Sequence, residues 1–182
     1  MTHTVQDWRI ELLKAHPRLF RGSIDKPYAA EGYPNCEEGW SDLLERACVR
    51  IEAALVDGGV FNVLQIKEKF GALRLYWDGD MSDVAKAKVE EAIALAVARS
   101  ACTFEICGAE GRLYNRGGWL ATACADHAKG EPAPIKPGYE NLHMVRTFGP
   151  EPGRFPIISC RRYIRKTDWF EDVDPKSLGI EE

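Results

Sequence analysis

The stretch CTFEICGAEGRLYNRGGWLATACADHA, residues 102–128, decides how the chain is read. Its far end, Cys124-x2-His127, delivers a thiol and an imidazole from one turn, the usual way a protein offers two ligands to zinc. Cys107 is followed by Gly108, and glycine lets a chain turn back over a metal at the end of a knuckle. Between the two halves, Gly111–Asn115 and Trp119–Cys124 predict a small hairpin across Arg116-Gly117-Gly118. That is the outline of a treble-clef or zinc-ribbon-like module over residues 102–128.

The near half departs from the outline. Where a C-x2-C-G knuckle puts its first cysteine, the chain has Phe104, and Cys102 stands two residues earlier to give C-x4-C. Two readings stay open. In one, Cys102, Cys107, Cys124 and His127 hold one zinc, which is structural because four protein ligands leave no open position. In the other the metal is lost, Phe104 fills its place and the cysteines are small buried hydrophobes.

Working outward, Asp7–Ala15 reads as a short helix stopped by Pro17, and residues 21–36 read as loop. Apolar residues from Trp40 to Leu55 recur at helical spacing, predicting a helix over about 39–56 that Gly58-Gly59 ends. Val60–Ile66 and Leu73–Trp77 predict a hairpin whose turn covers Lys67–Gly71. Ser82 caps a second long helix over Asp83–Ser100, with Val84, Val89, Ala92, Ile93, Ala96 and Val97 on its apolar face. Residues 129–138 carry three prolines and read as a stiff linker, and Ile157–Ile164 reads as a strand. The expected fold is α+β: two main helices packed on a small antiparallel sheet (1–101), the zinc-ribbon-like module (102–128), the linker (129–138) and a C-terminal extension (139–182).

Composition narrows the class. The chain has 182 residues, 45% hydrophobic and 29% charged, which suits a globular protein that folds without disulfides. A net charge of −4 argues against a surface built throughout to coat nucleic acid. No apolar run is long enough to cross a membrane and the N-terminus has no signal-like core, so a cytoplasmic protein with six reduced cysteines is expected.

Four segments carry a resemblance: LLKAHPRLF, GYPNCEEGWSDLLERACVRIE, VLQIKEKFGALRLYWDG and ICGAEGRLYNRGGWLATACADHA. In this order they resemble a largely uncharacterised family of small phage- and prophage-encoded proteins, over roughly residues 10–128. That family's pattern ends in C-x2-C-G…GGW…C-x2-H, from which Phe104 departs. The resemblance implies a phage gene product in a bacterial host cytoplasm and implies no reaction.

Nor do the residues imply one. There is no nucleophile elbow, no phosphate-binding loop and no H-E-x2-H, and His16 and His143 read as packing or surface residues. No catalytic residue is assigned. Two basic features remain. Lys67, Lys69, Arg74 and Tyr76 on the hairpin, and Arg112, Tyr114 and Arg116 in the module, are arginine–aromatic sets able to grip phosphates or stack bases, or else the polar face of a half-exposed sheet. In the tail, Arg154, Arg161, Arg162, Arg165 and Lys166 precede Asp168, Glu171, Asp172 and Asp174, either an interaction arm or a self-neutralising segment. The first expectation for function is a non-enzymatic accessory protein that binds a host protein and blocks an antiphage defence. The alternative is binding of nucleic acid or a nucleotide through the arginine–aromatic surfaces.

Overall fold

The computed structural model describes residues 7–22, 26–147 and 157–180. Arg154 of the basic run lies outside them. The described chain is α+β, with three α-helices and three small antiparallel sheets. It divides into two compact units between Pro132 and Ala133.

In the first unit, α1 (Trp8–Ala15) starts on Asp7, whose carboxylate accepts from the Arg9 N–H. His16 ends it. This histidine is 4% exposed. Its Nδ1 lies 3.0 Å from Glu52 in a hydrogen bond, and its Nε2 lies 3.1 Å from Glu45 without hydrogen-bond alignment. It thereby ties the end of α1 to α2 (Ser41–Ala54). A 3-10 turn, Glu38–Trp40, leads into α2, which buries Leu43, Leu44, Ala47, Cys48, Ile51 and Ala54 at helical spacing.

Strands β1 (Val60–Lys69) and β2 (Ala72–Asp80) pair directly, with Lys69 opposite Ala72. The expected five-residue turn is therefore two residues, Phe70 and Gly71, both at positive φ (57° and 80°), the geometry that matches strand twist in a tight hairpin. Leu73, Leu75 and Trp77 face the core and Phe61 stacks on Trp77 at 5.1 Å. Helix α3 (Asp83–Ala101) begins on Ser82, whose hydroxyl accepts from Ala85 N–H, as expected. It lies against β2 and α2 lies against it. Val84, assigned to its apolar face, is exposed, because the buried face runs through Ala85, Val89, Ala92 and Ala96 and Val84 lies about 100° round the helix from it.

Beyond α3, β3 (Gly111–Arg116) and β4 (Trp119–Cys124) form the expected hairpin. A short β5 (Glu131–Pro132) adds to the free edge of β3, giving the order β4-β3-β5, so the linker begins as a strand.

The second unit is a meander of β6 (Leu142–Thr147), β7 (Ile157–Ile164) and β8 (Trp169–Val173). Of these strands only β7 is predicted from the sequence. Tyr163 is buried, donates to Asp168 at 2.5 Å and packs edge-on to Phe170.

Trp40 is the largest fully buried side chain of the first unit, 1% exposed. Trp40→Ala is expected to lower stability by about 3–5 kcal/mol, read as an earlier denaturant midpoint. An unchanged midpoint contradicts its place in the core.

Candidate metal and binding sites

Residues 102–108 leave α3 and fold back over the start of α2. The Trp40 indole N–H donates to Thr103 O at 2.9 Å, a buried hydrogen bond. A Cβ on Gly39 would run into the backbone of Phe104, Glu105 and Gly108, so only glycine admits the knuckle at that distance. Phe104 N–H donates to Ala109 O and Gly108 N–H to Phe104 O, closing the turn, with Gly108 at φ 71°. Glu105 packs at its base, where burial holds its carboxyl above the usual carboxylate range, helped by Glu68 and opposed by the Glu37 N–H.

This turn brings Cys107 to Cys124 and His127. The two sulfurs are 3.7 Å apart, and His127 Nδ1 is 3.1 Å from Cys124 Sγ and 4.0 Å from Cys107 Sγ. A tetrahedral zinc with Zn–S of about 2.3 Å and Zn–N of about 2.0 Å requires a sulfur–sulfur edge of about 3.8 Å and sulfur–nitrogen edges of about 3.5 Å, which the observed 3.1 and 4.0 Å bracket. The three donors thus span a triangle of the size zinc needs, and two thiolates with an imidazole are the chemistry it prefers. They form the one group of three or more potential metal ligands among the described residues.

Cys102 is not in the triangle. It is the C-cap of α3, 4% exposed, and its thiol points at the carbonyls of Ala98 and Arg99, 3.7 and 3.3 Å away. The fourth expected ligand is therefore held by a helix end. The place of the missing knuckle cysteine is apolar: Phe104 is buried with Ala123 and Cys124, its ring 5.6 Å from the His127 imidazole.

The His127 hydrogen bond is the main cause that holds the Cys124 thiol below the ordinary range, opposed by partial burial and helped by backbone N–H groups and Cys107. Cys36 and Cys48 are pushed up by burial, Cys36 to about 12.

The hairpin between these ligands has two unlike faces. Thr122 and Leu113 face inward. The Thr122 hydroxyl is shared between the carbonyls of Gly71 at 2.7 Å and Ala101 at 3.3 Å, and Leu113 stands where a Cβ on Gly71 would go. The other face carries Arg112, Tyr114 and Arg116, alternate residues of one strand, and Trp119 directly opposite Arg116. Trp119 is 69% exposed and Arg112 is exposed, whereas Arg116 is half-buried with its Nε donating to Lys129 O at 3.2 Å, and Tyr114 packs with the buried Ala123 against Phe104. No carboxylate stands among the described strand residues of that face. In the sequence Trp119 stands out only as part of the Gly-Gly-Trp of the resemblance and not as a binding residue; the strand register puts it beside Arg116.

The β1–β2 set also shares a face, since Lys67 pairs with Arg74 and Gln65 with Tyr76. Its cations are engaged within the chain: Lys67 over the Tyr76 ring, Lys69 over the Phe70 ring, and Arg74 on the Leu73 carbonyl. The tail arginines do not form one patch. Arg161 and Arg162 are adjacent in β7 and point to opposite faces. Arg161 covers Phe170 at 4.1 Å opposite Asp172, Arg162 donates to Gly138 O at 2.7 Å opposite Glu171, and Arg165 is half-buried after the strand. Burial and Arg161 together push the His143 pKa down.

No protein-family model, curated protein or solved structure matches the chain. No described helix is long and apolar enough to cross a membrane.

For the metal-free protein, ultraviolet thiolate absorbance is expected to rise at lower pH than for an ordinary cysteine. His127→Ala should move that first step upward, because it removes the bond that favours the charged form. A step that stays put contradicts the Cys124–His127 pairing.

Proposed function

We propose that the chain is a non-enzymatic phage accessory protein that binds single-stranded nucleic acid through the outer face of the β3–β4 hairpin. One observation carries this reading: Arg112, Tyr114, Arg116 and Trp119 share a single face without an intervening carboxylate. Arg112 and Arg116 are four residues apart on one strand and stand about 13 Å apart with Tyr114 between them, a spacing at which the two can reach separate groups along an extended polyanion. An exposed indole beside them offers a stacking surface that tolerates any base. The overall charge of −4 leaves this basicity local, which suits a confined site rather than general coating.

In this reading residues 102–128 are a zinc-ribbon-like module and Cys107, Cys124 and His127 hold one structural zinc. The metal keeps the knuckle and the end of β4 together and so fixes the hairpin's outer face. The phage setting rests on the resemblance of residues 10–128.

The reading as a host-protein binder is supported by Phe70. It is 62% exposed at the hairpin tip and held at a positive φ that a bulky side chain rarely adopts. Strain and exposure of this kind suit an apolar anchor on a partner.

Anisotropy of a labelled single-stranded oligonucleotide tests the first reading. Binding should weaken with salt at a log–log slope of about −1.4 for two arginine contacts, and Arg112→Ala should remove about half of that slope. Trp119→Ala, at a position 69% exposed, should cost about 1–3 kcal/mol of binding. Elemental analysis should find a single zinc per chain, kept in Cys102→Ala and lost in Cys124→Ala. No oligonucleotide binding at low salt contradicts the nucleic-acid reading; a host protein captured by the parent and not by Phe70→Ala then favours the second.

A further inference from the structure

The donor set around Cys107 has a consequence beyond structural zinc, and it rests on the metal reading above. We propose that the site is three-coordinate in protein ligands and that its fourth position takes an exogenous monodentate thiolate.

The argument is one of missing donors. Among the described residues no other histidine, cysteine, aspartate or glutamate joins Cys107, Cys124 and His127. The residue in the place of a fourth knuckle ligand is Phe104, buried and without a donor atom. Cys102, the nearest other cysteine in sequence, caps α3, and the next residue anchors the same helix end: Thr103 Oγ1 donates to Arg99 O at 2.8 Å and Thr103 O accepts from Trp40. Bringing Cys102 to the metal would unwind that end and break the Trp40 bond. The chain has no cheap way to supply a fourth ligand.

The position is reachable. Cys107 and His127 are both exposed, whereas Cys124 and Phe104 close the inner side. Zinc sites with three protein ligands belong to the class that keeps one place for an outside group. Three features select a thiolate as that group. The two sulfurs already present make the site soft. Two thiolates and a neutral imidazole bring Zn²⁺ to a net charge of zero, and a third thiolate takes it to −1, the charge of the Cys3His class of zinc site. Phe104 lines the place with carbon, beside which a hydrated carboxylate loses more solvation than a thiolate does. The reaction is a ligand association: the thiol gives its proton to solvent as its sulfur coordinates, and nothing is oxidised or reduced. A low-molecular-weight thiol and a cysteine of a partner chain share this chemistry.

The test uses the full chain loaded with Co²⁺ in place of zinc, followed by visible absorption. Ethanethiol is added in one arm and a short peptide with a single cysteine in another. A saturable rise in the sulfur-to-cobalt band with ethanethiol is the expected result. A matching rise with the peptide assigns the position to partner cysteines as well, and a response to ethanethiol alone confines it to small thiols. Phe104→Cys should show the stronger band before any thiol is added and respond to none. Cys102→Ala should respond as the parent does, and it keeps the test decisive if Phe104→Cys does not fold. Cobalt uptake with a spectrum that thiol leaves unmoved overturns the open position while leaving the metal site standing. So does a response that appears only in Cys102→Ala, which would make Cys102 the fourth ligand. Failure of the parent to take up cobalt overturns the metal reading, and this inference with it.

Discussion

The hydrogen bond from the Trp40 indole to Thr103 O is the contact on which the placing of the 102–108 turn and the β3–β4 hairpin depends. It joins the entry of α2 to the exit of α3, 63 residues apart in sequence, inside the core. A buried donor and acceptor left unpaired at such a place cost about 1–3 kcal/mol each way, so the bond specifies where the chain leaves α3. Gly39, one residue earlier, then lets the knuckle backbone settle directly on the turn before α2. The position of Cys107 relative to Cys124 and His127 follows from that docking.

The hairpin is held from its inner side by a second contact of the same kind. Thr122 bonds the carbonyls of Gly71 and Ala101, and Gly71 has no side chain to push Leu113 away. One face of β3–β4 is thereby committed to the β1–β2 tip and the end of α3. The arginines and Trp119 are left on the other. The back of the hairpin is thus anchored at two separate elements, and a stacking platform held in place in this way would lose little entropy when a ligand lands.

Much of this was legible in the residues. Ser82 and the apolar repeat that follows identify α3, and the alternation of Leu73, Leu75 and Trp77 with Arg74 and Tyr76 identifies β2. The grouping of Cys107, Cys124 and His127 was legible, and whether Cys102 joins them was not. Sequence spacing places it near Cys107, but whether a thiol at a helix end turns toward the metal or toward the last carbonyls depends on where the helix stops. The tail arginines look like a run in sequence and become two faces in a strand. Trp119 is not legible as a binding residue for the reverse reason: it is three residues from Arg116 in sequence, and only a two-residue turn at Gly117-Gly118 makes them neighbours. The strands β6 and β8 and the pairing of Glu131–Pro132 depend on long-range partners that local propensity does not encode.

The central claim is that the core sets the metal triangle through the contact at Gly39. Competition of the loaded Gly39→Ala protein against a zinc chelator, with helix content followed by circular dichroism, tests it most directly. A Cβ at that position must lift the knuckle from α2's entry. The account predicts zinc affinity lower by about tenfold or more with helix content retained, the size of loss seen when groups that position ligands are altered. Zinc held as tightly as in the parent, with the same helix content, would contradict it.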